Sequence, residues 1–390
     1  MKIAFITLSC AYNYGAVLQA YAMWKYLQNL GNETVLIDYI TERYQVEAKD
    51  HVFKVGGRWA GNAFMRMIWK TTYYKIERKV QQHFKDFLRK NTRLTPTYYN
   101  NEELIEKPVQ ADLFISGSDQ IWNTDFSLDK KPDKPYFLDF AAEDKPRLAY
   151  ASSFGKNRLG EEKKEIKKYL EKFQAIGVRE KSAIKIIDEL GLKAEIVADP
   201  TLLCSREEWS GMAAGRMEEK KYLLLFQIHP KKELLELGRK LAKEKGLSLV
   251  IVSPNPLDRK KMYKWKVRYL PKVEEWLSYF KFAEFVLTDS FHATVFSTIF
   301  EKQFLTYAQN KYNSRITGYL SVLGLPEKSV SNFSSEQIEA ALNRRVDYGV
   351  VTPIRKEFTE KSKQWLVNQL DLCKRNQKMS AESLKGKIVL

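Results

Sequence analysis

An α/β fold in two domains, each assembled from parallel β-α units, is what this sequence predicts, and three observations carry the expectation. Short runs rich in Val, Ile, Leu and Phe alternate with stretches whose apolar residues recur at helical spacing, the pattern of a parallel sheet flanked by helices. The 390 residues exceed one domain of roughly 100 to 200 residues. A polar, Gly-containing stretch, SREEWSGMAAGRMEEK (205 to 220), divides the β-rich runs into two sets.

The first unit is the clearest. KIAFITL (2 to 8) reads as a buried strand, AVLQAYAMWKYLQNL (16 to 30) as a helix, Gly31 as its C-cap and ETVLIDY (33 to 39) as a second strand. From Met65 to Leu88 the residues Met65, Ile68, Thr72, Ile76, Val80, Phe84 and Phe87 recur every three or four positions. That predicts a long helix or helical hairpin, inserted over about 55 to 95. Its other faces carry Arg66, Lys70, Lys75, Arg78, Lys79, Lys85, Arg89, Lys90 and Arg93 against Glu77 and Asp86. Strands follow at ADLFIS (111 to 116), RLAYAS (147 to 152), AIGV (175 to 178) and AEIVA (194 to 198), completing a first domain over 1 to 205. KYLLLFQI (221 to 228), LSLVIVS (247 to 253), AEFVLT (283 to 288) and QFLTYA (303 to 308) belong to a second, over 218 to 335. A further helix is expected at 353 to 377, with Phe358, Trp365, Leu366 and Leu370 near one face, and a loose tail at 378 to 390.

Composition narrows the class. With 44% hydrophobic and 29% charged residues, the chain is neither fibrous nor disordered, so a soluble globular protein is expected. A net charge of +17 points to anionic partners of some kind. Cys10, Cys204 and Cys373 are too few and too scattered for a disulfide framework or a CxxC motif, which suits a reducing cytoplasm. The N-terminal apolar run is short and has no cleavage pattern, and no run approaches the roughly 18 apolar residues of a membrane span. Membrane association is therefore expected to be peripheral. HExxH, CxxC and Walker motifs are all missing, so no metal site or bound cofactor is expected. RNA-binding and zinc-finger signatures are missing too, which leaves net charge as the sole argument for nucleic acid.

In doubly wound folds ligands sit beyond the carboxyl ends of the strands, so the loops there hold the candidates. The first, SCAYNYGAVLQAYA (9 to 22), joins strand to helix through Gly15 and can aim backbone N–H groups at an anion. Asn13 and Tyr14 bind ligand there or fix the turn, and without GxGxxG a dinucleotide is a poor fit. SGSDQIWN (116 to 123) offers Ser118 and Asp119 on a short loop, with Trp122 as an apolar or sugar-stacking plane; a plain turn is the other reading. Arg179 follows the strand AIGV, where its fork suits a carboxylate or phosphate, or pairs structurally with Glu180. Asp199 precedes Pro200 and either lines the site or ends a strand. The strongest candidate is His292 in VLTDSFHATVFSTIF (286 to 300), framed by Asp289, Ser290 and Thr294 where a strand gives way to a helix. Lys311 and Arg315 follow the next strand, completing a candidate cationic pocket.

The ordered set NYGAVLQAYA, SGSDQIWN, YASSFG (150 to 155), VRE (178 to 180), DPTLL (199 to 203) and TDSFHATVFS (288 to 297) resembles the polysaccharide pyruvyl transferase family over roughly residues 10 to 325. The resemblance implies a glycosyltransferase-B-like fold of two facing Rossmann-like domains. It also implies transfer of pyruvate from phosphoenolpyruvate onto a sugar in surface or exopolysaccharide assembly. His292 matches the family's motif histidine, and Arg179 and Arg315 match its donor-binding arginines. One departure stands out: many members carry R-x-H, and Ser290 here replaces that Arg.

On this reading His292 is the acid or base, with Arg179, Arg315, Ser290 and Lys311 on the donor. Asn13, Tyr14, Gly15, Ser118, Asp119, Trp122, Asp199 and Asp289 line the site or the acceptor. The partners are then phosphoenolpyruvate and a saccharide, lipid-linked or free. A nucleotide-sugar glycosyltransferase of the same architecture is the alternative, and a non-catalytic polyanion-binding module a second. Two or three cations suffice for a small donor. The remaining charge clusters at Arg66 to Arg93, Arg259 to Lys272 and the C-terminus, interleaved with Trp59, Phe64, Trp69, Tyr73, Tyr74, Tyr263 and Trp265. That pattern suits an anionic membrane surface at the inner face, or a simply solvated one.

Overall fold

The computed structural model describes residues 1–45, 63–254, 267–308 and 314–388. Strands β1 (Lys2–Ile6), β2 (Glu33–Tyr39), β3 (Leu94–Tyr98), β4 (Leu113–Ser116), β5 (Arg147–Ser152), β6 (Ala175–Val178) and β7 (Glu195–Ile196) form one sheet, in the order β3-β2-β1-β4-β5-β6-β7. A second sheet contains β8 (Tyr222–Phe226), β9 (Ser248–Ser253), β10 (Val267–Tyr269), β11 (Phe285–Thr288), β12 (Gln303–Tyr307) and β13 (Ser329–Val330), in the order β10-β9-β8-β11-β12-β13. The ladders are parallel, with Phe5 facing Leu36 on one side and Ile115 on the other. In each sheet the strand order reverses beside the first strand, at β1/β4 and at β8/β11. Those are the switch points at which doubly wound sheets open a crevice. The expected architecture of two Rossmann-like units is therefore the one observed.

Burial explains why the central strands were legible. LFIS of β4, YLLLF of β8 and FVLT of β11 are buried at every position, as parallel strands covered on both faces require. Three strands escape the sequence pattern, β3, β10 and β13, and all lie at sheet edges. They are short or half-exposed, and β3 contains Pro96, which an edge strand tolerates because it need not donate to a neighbour.

The helices that build the site region are α1 (Tyr14–Asn29), α2 (Ala63–Asn91), α3 (Arg206–Met212), α4 (Val273–Lys281), α5 (Phe291–Ile299), α6 (Ser314–Val322) and α7 (Tyr348–Ile388). Of the two readings of the basic insertion, α2 is one continuous helix; residues 55–62 lie outside the described residues. Its C-terminal half is packed into the molecule: Phe84 is fully buried and meets Tyr14 edge-on, with ring centroids 5.0 Å apart. Several of its cations are paired, Lys85 with Asp38 at 2.9 Å, Lys90 with Glu274 at 3.8 Å and, just beyond its end, Arg93 with Glu33 at 2.6 Å.

The polar stretch between the sheets is not an open linker. Ser205 and Glu208 form a capping box at the start of α3, and Trp209 is fully buried between Tyr21 of the first unit and Phe296 of the second. The two units consequently share one apolar core running from Ile3 and Val17 through Trp276 and Phe296 to Leu366. Helix α7 crosses back over the first unit. Ser362 Oγ accepts from Ala198 N–H at 2.9 Å, the Trp365 ring lies tilted against Tyr150, and Gln377 Nε2 donates to the Asp112 carbonyl at 2.6 Å. This helix starts before residue 353 and runs to Ile388, so the tail expected at 378 to 390 is instead helical through 388. Residues 378 to 385 include good helix formers and no breaker before Gly386. No helix among the described residues is long and apolar enough to cross a membrane.

Candidate active site

The carboxyl ends of the two sheets face each other, and their loops bring together residues far apart in sequence. Arg179 directly follows β6, Asp199 follows β7, and Ser118 and Asp119 follow β4. His292 enters from the other side in the first turn of α5, and Arg315 in the first turn of α6.

Arg179 is the hub. Its Nη1 donates to Asp199 Oδ2 at 2.9 Å and its Nη2 to Asp119 Oδ1 at 3.3 Å, with the side chain almost wholly buried. Its carboxylate partners are thus these two aspartates, its Nη1 also donating to Ser118 Oγ at 3.4 Å, and the neighbouring Glu180 accepts instead from Ser153 Oγ at 2.7 Å. Arg315 reaches the same Asp119 oxygen from the second unit, Nη1 to Oδ1 at 3.4 Å. In the orientation that satisfies both groups, the Gln120 carboxamide oxygen also accepts from Arg315 Nη2 at 2.6 Å. Both guanidiniums lie over the Phe291 ring, 4.7 Å from its centroid for Arg179 and 5.9 Å for Arg315.

Asp199 links Arg179 to the histidine. Thr201 donates to Asp199 Oδ1 through its N–H at 3.0 Å and its hydroxyl at 2.7 Å, which fixes the carboxylate. Its Oδ2 lies 3.6 Å from His292 Nε2, beyond hydrogen-bond reach, and leaves that ring nitrogen buried without a hydrogen-bond partner. Burial pushes the Asp199 carboxyl up, but the His292 imidazole and the Arg179 guanidinium outweigh it and hold it well below the usual carboxylate range. Burial likewise pushes Asp119 up, and Arg179 and Arg315 bring it down below its ordinary value. Glu180 goes the other way: burial raises it more than Arg179 and Ser153 lower it. Arg315 is pressed below its ordinary basicity by burial and by the like charge of Arg179, with Asp119 opposing. Two guanidiniums and two carboxylates are thus interlocked, with Asp119 shared by both arginines and Asp199 held by Arg179.

Backbone strain sits at the same place. Asp119 has φ +79°, a left-handed conformation that costs a non-Gly residue on the order of 1–3 kcal/mol. It is held there by Ser153 N–H donating to its carbonyl at 3.0 Å and by Gln120 N–H donating to Oδ1 at 2.9 Å. Gly15 has a different role from the tight turn expected of it. It lies within α1, in direct contact with the His292 imidazole, so that the first unit closes over the histidine.

Other expected site residues are placed elsewhere. Asn13 caps α1, its side chain accepting from Ala16 N–H at 2.9 Å. Tyr14 is buried away from the cluster, its hydroxyl donating to the Pro271 carbonyl at 2.6 Å and its ring stacked on Trp276. Trp122 offers no open face: it is 1% exposed, packed against Phe137, Phe154 and Phe173. Asp289 is occupied by the N–H groups of Ile228 and His229 at 2.6 and 2.8 Å, so it shapes the loop after β8. Ser290 is the N-cap of α5 and accepts from Ala293 N–H. Ser118 stays with the cluster, its Oγ donating to Asp199 Oδ2 at 3.3 Å. Lys311 lies outside the described residues. Phe291 and Gln120 were not anticipated; each is the chain neighbour of a candidate, His292 or Asp119, and that adjacency is the signal that finds them.

Fold and candidate site together define an α/β protein of two Rossmann-like units with a cluster of buried ionisable groups at their junction. Residues 13–310 match the family model described as polysaccharide pyruvyl transferase. The chain belongs to that family and is therefore a transferase. No curated protein matches in sequence. Among solved structures, the chain resembles UDP-N-acetylglucosamine 2-epimerase from Rickettsia bellii, with 17% identity over 96% of this chain and 97% of that one and a TM-score of 0.49. It also resembles the Methanocaldococcus jannaschii epimerase in complex with UDP-GlcNAc and UDP, at 13% identity, 94% and 100% coverage and a TM-score of 0.49. The Neisseria meningitidis epimerase bound to UDP-GlcNAc matches at 11% identity, 93% and 94% coverage and a TM-score of 0.46.

Proposed function

We propose that the protein transfers the three-carbon unit of phosphoenolpyruvate to two hydroxyls of one saccharide unit, forming a pyruvate ketal and releasing phosphate. The observation that carries this reading is the shared carboxylate. Arg179 and Arg315, from different units, converge on Asp119 within the cluster that holds His292. A donor bearing both a carboxylate and a phosphate suits two guanidiniums whose charge a single aspartate bridges. Arg315 is the more accessible of the two, its side chain 17% exposed against 2% for Arg179, so Arg315 takes the direct contact and Arg179 sets the local charge.

The chemistry needs one mobile proton. Protonation of the donor's methylene carbon makes an oxocarbenium-like centre, and a first sugar hydroxyl attacks it and loses its proton. Phosphate then departs with the C–O bonding pair, and the second hydroxyl closes the ketal and gives up its own proton. Of the two hydroxyl protons, one balances that placed on carbon and the other leaves with phosphate. His292 is the group for these transfers, with the Asp199 carboxylate beside Nε2 as its counter-charge. No bound cofactor is required by this route. Incubation with phosphoenolpyruvate and saccharide, read by phosphate release and by mass spectrometry of the ketal, tests the reading; turnover of nucleotide sugars instead would replace it.

We further infer a peripheral contact with anionic membrane through the N-terminal and middle turns of α2, where Phe64 and Met67 are 66% and 60% exposed and Lys75 and Lys79 lie on the surface. Such docking would put the enzyme beside a lipid-linked acceptor at the inner face. Flotation with anionic but not neutral liposomes is the expected result, and equal recovery with both would remove the idea.

A further inference from the structure

A polar cleft of about 400 Å³ opens where the connection between the units meets the C-terminal helix. Its walls come from three pieces of chain: residues 202–207, Glu301 at the end of α5, and the first turns of α7. Arg355 stands out among the lining residues. It is only 8% exposed, its Nε is buried without a hydrogen-bond partner, and it has no carboxylate partner among the described residues. The phenols that sense its charge, Tyr319 and Tyr348, are neutral and donate elsewhere, Tyr319 to Thr298 and Tyr348 to backbone carbonyls.

The other charges of the cleft do not supply the missing counter-ion. Glu301 is taken by Arg206 and by the Thr352 hydroxyl, and Glu360 by Lys363 at 2.8 Å. Glu207 is exposed and forms no ion pair with Arg355; its carboxyl is held below its ordinary value first by hydrogen bonds from its own backbone N–H and the Ser205 hydroxyl, and then by the charges of Arg206 and Lys356. A guanidinium this deeply buried without an anion is costly, because its desolvation is uncompensated. An oxyanion seated on its planar fork would supply the compensation, with Lys356 at the rim and the Thr352 and Thr359 hydroxyls alongside.

We propose that this cleft binds a small phosphate-bearing anion, at a site separate from the Arg179, Arg315 and His292 cluster. The ligand would join Glu301's segment, the connection and α7. The connection begins at the turn Pro200–Leu202, whose cap is Asp199. An occupant would therefore hold in place the same turn that positions the partner of His292 and Arg179.

The test uses the full chain and inorganic phosphate as probe, titrated against chloride at constant ionic strength and followed by thermal unfolding and by phosphorus NMR line width. Arg315→Gln removes the direct cation of the other cluster, and this variant is expected to keep a phosphate-dependent rise in unfolding temperature. Adding Arg355→Gln to it should weaken phosphate binding about ten- to a hundredfold, the effect of losing a charged hydrogen bond. Lys356→Gln changes an exposed side chain and so preserves the fold even if Arg355→Gln does not; it should weaken phosphate binding severalfold. Phosphate affinity unchanged in Lys356→Gln, or no phosphate binding by Arg315→Gln, would overturn the proposal.

Discussion

Gly15 and His292, from opposite units, touch so closely that a Cβ placed on Gly15 would fall 2.1 Å from His292 Nδ1. The small residue is therefore a condition for the histidine's position. Gly15→Ala must push the imidazole or the whole of α5 aside. Overpacking of this kind costs about 1–3 kcal/mol. We expect a folded protein with a lower denaturation midpoint and transfer activity reduced much more than stability, measured by denaturant unfolding alongside phosphate release. Wild-type turnover in Gly15→Ala would show that the contact is dispensable.

His292→Ala should leave the fold intact and reduce turnover by about 10²- to 10⁴-fold, the usual contribution of a positioned acid or base. Asp199→Asn retains the shape but loses the charge facing Nε2 and Arg179, so it should lower kcat and alter the pH profile of turnover. An unchanged pH profile in that variant would argue against Asp199 as the counter-charge of the histidine.

The two arginines should separate experimentally. Arg179→Ala strands Asp199 and Asp119 in a buried setting, and breaking such a pair by removing one partner costs about 3–5 kcal/mol. Its main effect is expected on unfolding. Arg315→Ala removes a more accessible side chain and should mainly weaken donor binding, by about 1.5–3 kcal/mol in calorimetry. Equal destabilisation by both would contradict the distinction.

Asp133 sets a pH dependence away from the cluster. Burial pushes its carboxyl from the ordinary 3.8 up to about 6, with Asp129 and Glu42 adding to the rise against a hydrogen bond from Tyr39. The folded state then holds the proton more tightly than the unfolded chain. Stability from this group is greatest below pH 4 and falls as pH rises from about 4 to about 6. Asp133→Asn keeps an acceptor for the Tyr39 hydroxyl, now at 2.7 Å from Oδ1, and removes that loss. It should raise stability at pH 7 by up to about 3 kcal/mol, with the gain over wild type vanishing below pH 4. A gain independent of pH would exclude the carboxyl as its source.

How far these residues could be read without the structure depended on the range of the interaction. His292, Arg179 and Arg315 are legible as candidates because each follows a β-rich run, and parallel sheets present their loops at one end. Trp122 was misread for the converse reason. A tryptophan in a polar loop looks available to a sugar until Phe137, Phe154 and Phe173 are seen to enclose it. Tyr14 and Asp289 likewise satisfy distant backbone groups, at Pro271 and at Ile228 and His229, and sequence neighbours give no hint of either.

The amino-acid sequence alone determined the two sets of parallel β-α units, the central strands and the loops that carry the candidate chemistry, because periodicity and burial are local properties of a strand or helix. Only the tertiary structure decided that Asp119 is shared by two arginines, that Asp199 stands beside His292, and that Gly15 yields space to an imidazole 277 positions away. Those relationships depend on how two sheets meet across a common core. Packing between distant segments fixes that meeting, and no local pattern encodes it.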